Sequence, residues 1–219
     1  MKKIAKGDLT RNLIVDTARK IFNEKGINLT IENLATEMGI PKGRLTNHFS
    51  TKEKLFLAII QDYEDKLAGK IAELKDYYFS KSIAEMVFMI SKLMDVQFEY
   101  RCAISFLTVL SPSQLELREQ IQSGIQRNLS GIANRLKVMV RHKLLDPRIL
   151  EDETFRSFSF IYVNVLTQWV IYYDMYDADK EYFSVKPLYI RSIVEHIYQP
   201  HFSPKGRKEF LKLDFESVI

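Results

Sequence analysis

The stretch from Pro41 to Lys52 carries hydrogen-bond donors in close succession and contains no Asp or Glu. A double-stranded nucleic acid presents acceptors on its base edges and a negative charge on every phosphate, so it attracts donors and repels acids. The residue types in this stretch therefore favour contact with a duplex. The candidate contact residues are Lys42, Gly43, Arg44, Thr46, Asn47, His48 and Lys52, together with Thr30 further upstream.

Two short helices joined by a tight turn are needed to present these residues, and the sequence predicts both. The second covers residues 41–48, because proline suits the first turn of a helix. The first begins after Thr30, a good N-terminal cap, and stops at Gly39, which can adopt the positive φ of a turn. Their inward-facing apolar residues are Ile31, Leu34, Ala35, Met38, Ile40, Leu45 and Phe49. This pattern is typical of a helix-turn-helix, whose second helix enters a major groove.

Two longer helices flank this pair in the prediction. The earlier one covers residues 9–25 and ends at Gly26, a C-terminal helix signal. Its apolar face, at three- and four-residue spacing, consists of Leu13, Ile14, Ala18, Ile21 and Phe22. The later one runs from about Lys52 to Tyr77, and its inward residues are Leu55, Ile59, Tyr63, Leu67 and Ile71. We expect this long helix to be shared between the N-terminal head and the rest of the chain.

Over roughly residues 8–60 the sequence resembles the tetracycline-repressor (TetR) family of bacterial transcriptional regulators. The matching positions are Ala18, Phe22, Gly26, Thr30, Ile31, Leu34, Ala35, Gly39, Ile40, Lys42, Gly43, Leu45, His48, Phe49, Lys52 and Leu55. The sequence departs from the family pattern at Thr46, where an aromatic residue is usual, and at Pro41, where serine is usual. The resemblance implies an all-α protein with a DNA-binding head and a helical body that dimerises.

The resemblance and the side-chain chemistry together suggest a role for each candidate. Arg44 is expected to contact a base edge, because a guanidinium can bind guanine O6 and N7 with two hydrogen bonds. Asn47 can read adenine or contact a phosphate. Thr30 and Lys52 lie at predicted helix N-termini, where backbone amides attract phosphate. The residues expected to contact the DNA backbone, or both backbone and bases, are Lys42, Thr46 and His48.

Beyond these helices, the apolar pattern predicts only further helices. Ser82 and Glu85 form a capping box for a helix over 83–99, and a short apolar segment follows at 103–110. The remaining predicted helices cover about 112–143, 152–176 and 185–199, and the tail 203–219 is expected to add a turn or two. No β-alternation is long enough to compete. The 8 Gly and 6 Pro of the 219-residue chain are also too few for the turns of an all-β protein.

Charge and aromatic residues divide the chain into two predicted domains. Residues 1–54 contain 11 Lys and Arg against 6 Asp and Glu, a net charge of +5, whereas residues 55–219 have a net charge of −1. Of the 26 aromatic residues, only Phe22 and Phe49 precede residue 55. A basic head suits a polyanionic partner, although a solvated charged surface gives the same count. We expect a helix-turn-helix DNA-binding domain over 1–54 and an all-helical ligand-binding and dimerisation domain over 55–219.

The family resemblance also implies a homodimer and a palindromic operator, since two linked heads bind DNA better than one. The family dimerises through its last two long helices, which correspond to residues 152–199 here. It commonly binds a small-molecule effector in the body, and the residues that could contact a largely apolar effector are Tyr100, Cys102, Phe106, Tyr162, Leu166, Trp169 and Tyr173. Such an aromatic stripe is more often part of a packed core than of a ligand site. Asn164 and Gln168 interrupt it and would need polar partners if buried.

The alternatives to a ligand-released repressor are an enzyme, a regulator that senses no small molecule, a regulator whose body binds a protein, and an activator. The His residues are scattered and Cys102 is the single Cys, so no metal, cofactor or catalytic site is expected. The single Cys and the absence of a secretory pattern favour the cytoplasm. The uncharged run 157–173 suits a buried helix better than a membrane span, so no membrane partner is expected.

Overall fold

The computed structural model describes residues 6–109 and 129–219, and the regular elements in these two ranges are helices. The prediction of an all-α fold is confirmed. We number the helices α1–α12 in chain order. An isolated antiparallel bridge joins Leu145 to Phe202 and ties the segment that follows α8 to the C-terminal region.

The first four helices follow the predicted order closely. They are α1 Lys6–Lys25, α2 Ile31–Glu37, α3 Lys42–His48 and α4 Lys52–Glu73. Gly26 follows α1 with a φ of +86°, and its N–H donates to the Phe22 carbonyl at 3.0 Å, so it ends the helix as predicted. Helix α4 stops before its predicted end at Tyr77, and a short helix α5, Lys75–Tyr78, follows it.

Of the remaining helices, α6 Ile83–Glu99 has its predicted bounds and the later ones differ more from theirs. The later helices are α7 Arg101–Thr108, α8 at 129–141, α9 Asp152–Tyr172, α10 Tyr182–Ile193, α11 Pro204–Phe210 and α12 Phe215–Val218. The apolar segment predicted at 103–110 lies largely within helix α7. Helices α9 and α10 each continue into a wider π-helical turn, over Tyr173–Asp177 and Val194–Tyr198. The first part of the predicted helix 112–143 lies outside the described residues.

The described chain forms two compact units. The head unit comprises residues 6–67 and 96–109, and the body unit comprises residues 68–95 and 129–219. Helices α4 and α6 therefore each contribute residues to both units. The end of α6 and all of α7 belong to the same compact unit as the N-terminal helices. No local signal in the sequence indicated this grouping. A functional boundary after residue 54 stays a prediction.

Aromatic stacking builds the centre of the head unit. The Phe56 ring of α4 stacks on Phe106 of α7, with centroids 4.0 Å apart, and on Phe22 of α1, at 4.5 Å. Leu13, in contrast, is 65% exposed, so its predicted place on the buried face of α1 is wrong. Val15 is buried instead, because the inner face of α1 is turned slightly from the predicted one.

Aromatic rings also dominate the core of the body unit. Phe158 and Tyr162 of α9 pack edge-on against Tyr198, with centroid distances of 5.2 and 5.7 Å. Trp169, further along the same face of α9, stacks on Tyr182 of α10 at 5.8 Å. One face of α9 is therefore packed against its own chain, as the apolar pattern predicts.

Candidate functional site

The turn between α2 and α3 has the geometry that the sequence predicts. The Thr30 hydroxyl accepts a hydrogen bond from the Asn33 N–H at 3.1 Å and caps α2. Gly39 adopts a φ of +64°, a left-handed conformation that costs other residues about 1–2 kcal/mol. The Ile40 N–H closes the turn by donating to the Ala35 carbonyl at 3.0 Å. A tight, hydrogen-bonded turn therefore joins α2 to α3.

One face of α3 is buried and the opposite face is exposed. Leu45 is fully buried, and Phe49, directly after the helix, is almost fully buried. The predicted contact residues lie on the other face, where Lys42, Gly43, Arg44 and Asn47 are exposed and Thr46 and His48 are half-buried. The apolar residues thus anchor α3 and leave its donors open to a partner. Contact of these donors with DNA stays a prediction.

An acidic side chain from α2 reaches this face. The Glu32 carboxylate and the Lys42 ammonium form a close ion pair. The hydrogen bond from Lys42, followed by its charge, holds the pKa of Glu32 below its ordinary value. Sequence reasoning missed this pair because the two residues are ten positions apart and only the turn brings them together. Glu32 competes with any phosphate for Lys42.

Thr46 occupies the position at which the sequence departs from the family pattern. Its hydroxyl lies 3.2 Å from the Lys42 carbonyl and 3.3 Å from the Gly43 carbonyl, so it donates within α3. A phosphate oxygen only accepts hydrogen bonds, so the hydroxyl must rotate away from the helix or use a water molecule to contact DNA. Thr46 is therefore a weaker candidate contact than Arg44 or Asn47.

Two further cations belong to this surface. Lys52 begins α4, and the Thr51 hydroxyl accepts from the Lys54 N–H at 3.3 Å within the first turn. The Arg11 guanidinium of α1 lies 4.9 Å from the centroid of the Phe49 ring and is exposed. Sequence reasoning missed Arg11, because no spacing rule relates α1 to the residue that follows α3. Arg11 extends the positive surface around the end of α3.

The structure places the predicted effector residues in two different units. The head unit contains Tyr100, Cys102 and Phe106, and the body unit contains Tyr162, Leu166, Trp169 and Tyr173. All are buried except Leu166, which is half-buried. Burial suits a packed core as well as an enclosed binding site, so contact of these residues with an effector stays a prediction.

Polar contacts within the head unit hold two of these residues. The Tyr100 hydroxyl donates to Asp62 at 2.6 Å, and the Arg19 guanidinium lies 4.6 Å from the Tyr100 ring centroid. The Cys102 N–H donates to the side-chain oxygen of Asn23 at 2.9 Å. Burial raises the pKa of the Cys102 thiol to about 12, so this thiol is not a reactive nucleophile at neutral pH. These contacts give Tyr100 and Cys102 a structural role.

The polar ends of the buried tyrosines in the body unit also have partners. The Tyr162 hydroxyl accepts from the Arg135 guanidinium at 3.0 Å. The Tyr173 hydroxyl donates to the Lys180 carbonyl at 2.7 Å. Each hydroxyl therefore meets the requirement that a buried polar group be hydrogen-bonded.

Helices α9 and α10 carry an apolar face that the described part of the chain leaves exposed. Its exposed residues are Phe160, Ile161, Val165, Tyr172, Phe183 and Leu188. Asn164 and Gln168 lie along the same side of α9 and are exposed. The Asn164 side chain donates to the Phe160 carbonyl of its own helix at 2.7 Å. These two polar residues therefore do not interrupt the buried aromatic stripe, and the condition under which they would need partners inside the body is not met.

The described part of the chain contains neither a helix suited to crossing a membrane nor a cluster of potential metal ligands. Within residues 6–109 and 129–219, no helix combines the length and apolar character needed to cross a bilayer. In the same ranges, no three His, Cys, Asp or Glu side chains come together as potential metal ligands.

Comparison with known proteins matches the N-terminal helices. The model of the tetR family of bacterial regulatory proteins matches residues 14–59. An uncharacterized HTH-type transcriptional regulator of Bacillus subtilis (strain 168), YuxN, is 39% identical over 64 residues, which cover 29% of this chain and 22% of that protein. An HTH-type transcriptional regulator of Staphylococcus aureus (strain USA300) is 36% identical over 81 residues, 36% of this chain and 43% of that protein. The matches therefore span less than half of these relatives' length.

Solved structures share the fold over nearly the whole chain. A TetR-family transcriptional regulator from Marinobacter aquaeolei VT8 has a TM-score of 0.74 and 24% identity, covering 95% of this chain and 98% of that one. The SmeT–triclosan complex has a TM-score of 0.56 and 17% identity, with coverages of 90% and 93%. The turn at Gly39 and the two faces of α3 define a helix-turn-helix protein. Residues 14–59 therefore match the tetR family of bacterial regulatory proteins, and the chain as a whole shares its helical fold with TetR-family structures.

Proposed function

We propose that this chain is a sequence-specific DNA-binding regulator that acts as a dimeric repressor. The observation that carries the proposal is the exposed outer face of α3, to which α3 itself contributes no carboxylate and which lies within the region that matches the tetR family. Residues 1–54 provide the DNA-binding domain in this proposal, and residues 55–219 provide the ligand-binding and dimerisation domain. Such a regulator acts in the bacterial cytoplasm, where its promoter lies.

Within this proposal, Arg44 is the main residue that reads sequence. Its exposed guanidinium can bind one guanine with two hydrogen bonds, which distinguishes the correct base by about 1–3 kcal/mol. Asn47 lies one helical turn further along the same face and adds a second base contact or a phosphate contact. The residues that position α3 on the DNA backbone are Thr30, Lys42, Gly43, Thr46, His48 and Lys52.

The apolar face of α9 and α10 supports the proposed homodimer through residues 152–199. Phe160 and Leu188 on this face are 70% and 61% exposed. Contiguous exposed apolar surface of this kind usually marks an interaction site. A second copy that presents the same face would bury it in a symmetric bundle of four helices. Two linked heads then suit an operator with two-fold symmetry.

We also propose that a small, largely apolar effector binds the protein and releases the operator. The support is the aromatic content of the predicted contact residues within the body unit, Tyr162, Trp169 and Tyr173. A further support is that SmeT, which shares the fold, has been solved with triclosan. A thermal-shift survey of apolar ligands separates this proposal from a regulator that senses no small molecule, which predicts no shift.

A selection of bound DNA tests the proposed function directly. The full chain is incubated at physiological salt with sheared genomic DNA and random duplexes, and the bound fraction is sequenced. We expect enrichment of one palindrome whose half-sites lie about one helical turn apart. Enrichment no greater than the non-specific background contradicts sequence-specific binding by the unliganded protein.

A further inference from the structure

A buried lysine lies between α6 and α10 in the body unit. Lys186 of α10 is only 2% exposed, and its ammonium lies 2.6 Å from the Asp95 carboxylate of α6. Burying a charge is unfavourable unless partners compensate for the lost water. Such a group in the interior of one helix pair therefore needs an explanation beyond packing.

Among the described residues, the charges around Lys186 do not balance. The Lys92 ammonium lies 4.0 Å from the second oxygen of Asp95, so two cations share one carboxylate. The Tyr182 hydroxyl also donates to Asp95, at 3.1 Å, and carries no charge. Burial lowers the pKa of Lys186, the bond to Asp95 raises it, and Lys92 lowers it again. The cluster thus carries a net positive charge while both lysines are ionised.

Among the described residues, helix α6 also carries a buried hydroxyl without a partner, one helical turn before Asp95. Ser91 is completely buried, and its hydroxyl has no hydrogen-bond partner among the described residues. Ser91 precedes Asp95 by one helical turn, so the two side chains lie on the same face of α6, about 5–6 Å apart at their Cβ atoms. The unpartnered Ser91 hydroxyl therefore lies one helical turn from the carboxylate that pairs with Lys186.

The cluster has an apolar side and an accessible side. The ammonium of Lys186 lies 5.8 Å from the ring centroids of both Tyr182 and Phe183, and Tyr182 stacks on Trp169. The side chains of Asp95 and Lys92 are about one-third exposed. A ligand with an acidic end and an apolar tail would find donors and rings side by side here.

We propose that Ser91, Lys92, Asp95 and Lys186 bind the carboxylate end of an amphipathic organic acid, with Tyr182 and Trp169 contacting its apolar part. A monocarboxylate brings the second negative charge, so that two ammonium groups face two carboxylates. It also supplies an acceptor for the Ser91 hydroxyl. This inference rests on the proposed function, because it names the chemical class of the effector.

Trp169 makes the proposal testable without a label, because it is the single tryptophan of the chain. Its fluorescence is recorded while the full-length protein is titrated with octanoate, 1-octanol and octylamine, which share one apolar tail. We expect octanoate to bind about tenfold or more tightly than 1-octanol, as a charge-assisted hydrogen bond to a carboxylate implies. Octylamine is expected to bind more weakly still, since it places a third cation in the cluster.

Two variants connect the binding to the cluster. Lys186→Met keeps most of the apolar stem and removes the charge, so octanoate binding should fall about tenfold or more while 1-octanol binding is unchanged. Lys180→Met is the matched control, because Lys180 also pairs with an aspartate at 2.6 Å but lies outside the cluster. Ser91→Ala breaks no hydrogen bond between described residues and should weaken octanoate several-fold, which keeps the test available if Lys186→Met does not fold.

Equal binding of octanoate and 1-octanol, unchanged octanoate binding in Lys186→Met and Ser91→Ala, or binding of none of the probes overturns the proposal. Operator binding is measured on the same samples, so that the two proposals can fail separately. If the protein binds the operator but does not respond to octanoate, only the proposed chemical class of the effector is contradicted. Loss of operator binding in the wild-type chain removes the proposed function itself.

Discussion

The head unit and the body unit distribute charge and apolar surface in opposite ways. In the head, Arg44 and Asn47 lie on the exposed face of α3, and the ring of Phe56 stacks inside. In the body, Phe160 is exposed on α9, whereas the ammonium of Lys186 is buried against Asp95. The same residue types therefore face different partners in the two units.

This difference separates long-range from short-range recognition. An exposed cation attracts a polyanion over about 8–10 Å in physiological salt, and added salt weakens that attraction. A buried cation acts on the groups in contact with it and is screened much less. DNA binding by the head should therefore fall steeply with salt, whereas acid binding by the body should depend on salt only weakly. The variants below probe this contrast.

The largest effect is expected from Phe160→Lys on the exposed face of α9. Phe160 is 70% exposed, so the change leaves the packing of the chain intact and places a charge in the proposed dimer interface. We expect a monomer whose operator affinity is lower by about 100-fold or more, because linking two binding modules raises affinity by about 10²–10⁴. Light scattering during size-exclusion chromatography and operator titration at fixed salt measure the two effects.

Leu211→Lys is the matched control for this experiment. Leu211 is 76% exposed and lies outside α9 and α10, so the same substitution there adds the same charge to the protein. It should leave both the oligomeric state and the operator affinity unchanged. A dimeric Phe160→Lys protein, or equal losses in the two variants, would show that this face is not the interface.

Arg44→Ala is expected to have the next largest effect. Loss of a bidentate guanine contact costs about 1–3 kcal/mol of discrimination at one base position, which is about 5- to 150-fold. Competition between the operator and single-base variants measures this change. Arg44→Lys keeps the charge but not the two parallel hydrogen bonds, so it should restore affinity for random DNA without restoring the base preference. Equal losses on operator and random DNA for Arg44→Ala contradict the base-reading role.

The bounds of α2 and α3 could be predicted because their signals are local. The Thr30 cap and the Gly39 turn act within a few residues of the helices they bound. The end of α6 at Glu99 could be predicted as well, whereas the start of α7 at Arg101, across the break between these two helices, could not. The Asn23 side chain of α1 accepts from the Cys102 N–H at this break, and no pattern in the local sequence reports a contact from so far along the chain.

In the candidate site, too, local sequence patterns predicted which side chains are exposed but not which distant residues they contact. Helical periodicity correctly placed Arg44 and Asn47 on the exposed side of α3 and Leu45 on the buried side. It could not reveal the ion pairs of Lys42 with Glu32 or of Lys186 with Asp95, because each joins different helices. Periodicity reports which face is apolar, whereas the partner of a polar side chain depends on how the helices pack.

Lys52→Ala is expected to weaken DNA binding modestly and to the same extent for every sequence. Lys52 begins α4 and is proposed to contact a phosphate, which carries no sequence information. Removing one such contact should make the dependence of log affinity on log salt shallower by about 1. Titrations of operator and random DNA at several salt concentrations measure this slope. An unchanged slope, or a loss confined to the operator, contradicts a phosphate contact.

Glu32→Gln should produce the smallest effect, and it is the one change expected to strengthen DNA binding. The wild-type carboxylate holds Lys42 in an ion pair and repels phosphate, and the amide does neither. Exposed ion pairs of this kind are weak, so we expect affinity for all sequences to rise by only about threefold. Glu37→Gln on the same helix is the matched control, since Glu37 pairs with Lys25 at 2.5 Å and not with Lys42.

The effect of Glu32→Gln on DNA affinity should depend on pH in a defined direction. Lys42 keeps the pKa of Glu32 below its ordinary value, so the pair is present at neutral pH and is lost as pH falls through that lowered pKa. The advantage of Glu32→Gln over the wild type should therefore be full at neutral pH and shrink in acid. Equal gains in Glu37→Gln would mean that Glu32 acts through the general charge of the head. An advantage that does not change as the pH is lowered would mean that it does not depend on the charge of Glu32. A loss of affinity in Glu32→Gln would mean that the pair instead positions Lys42 for its contact.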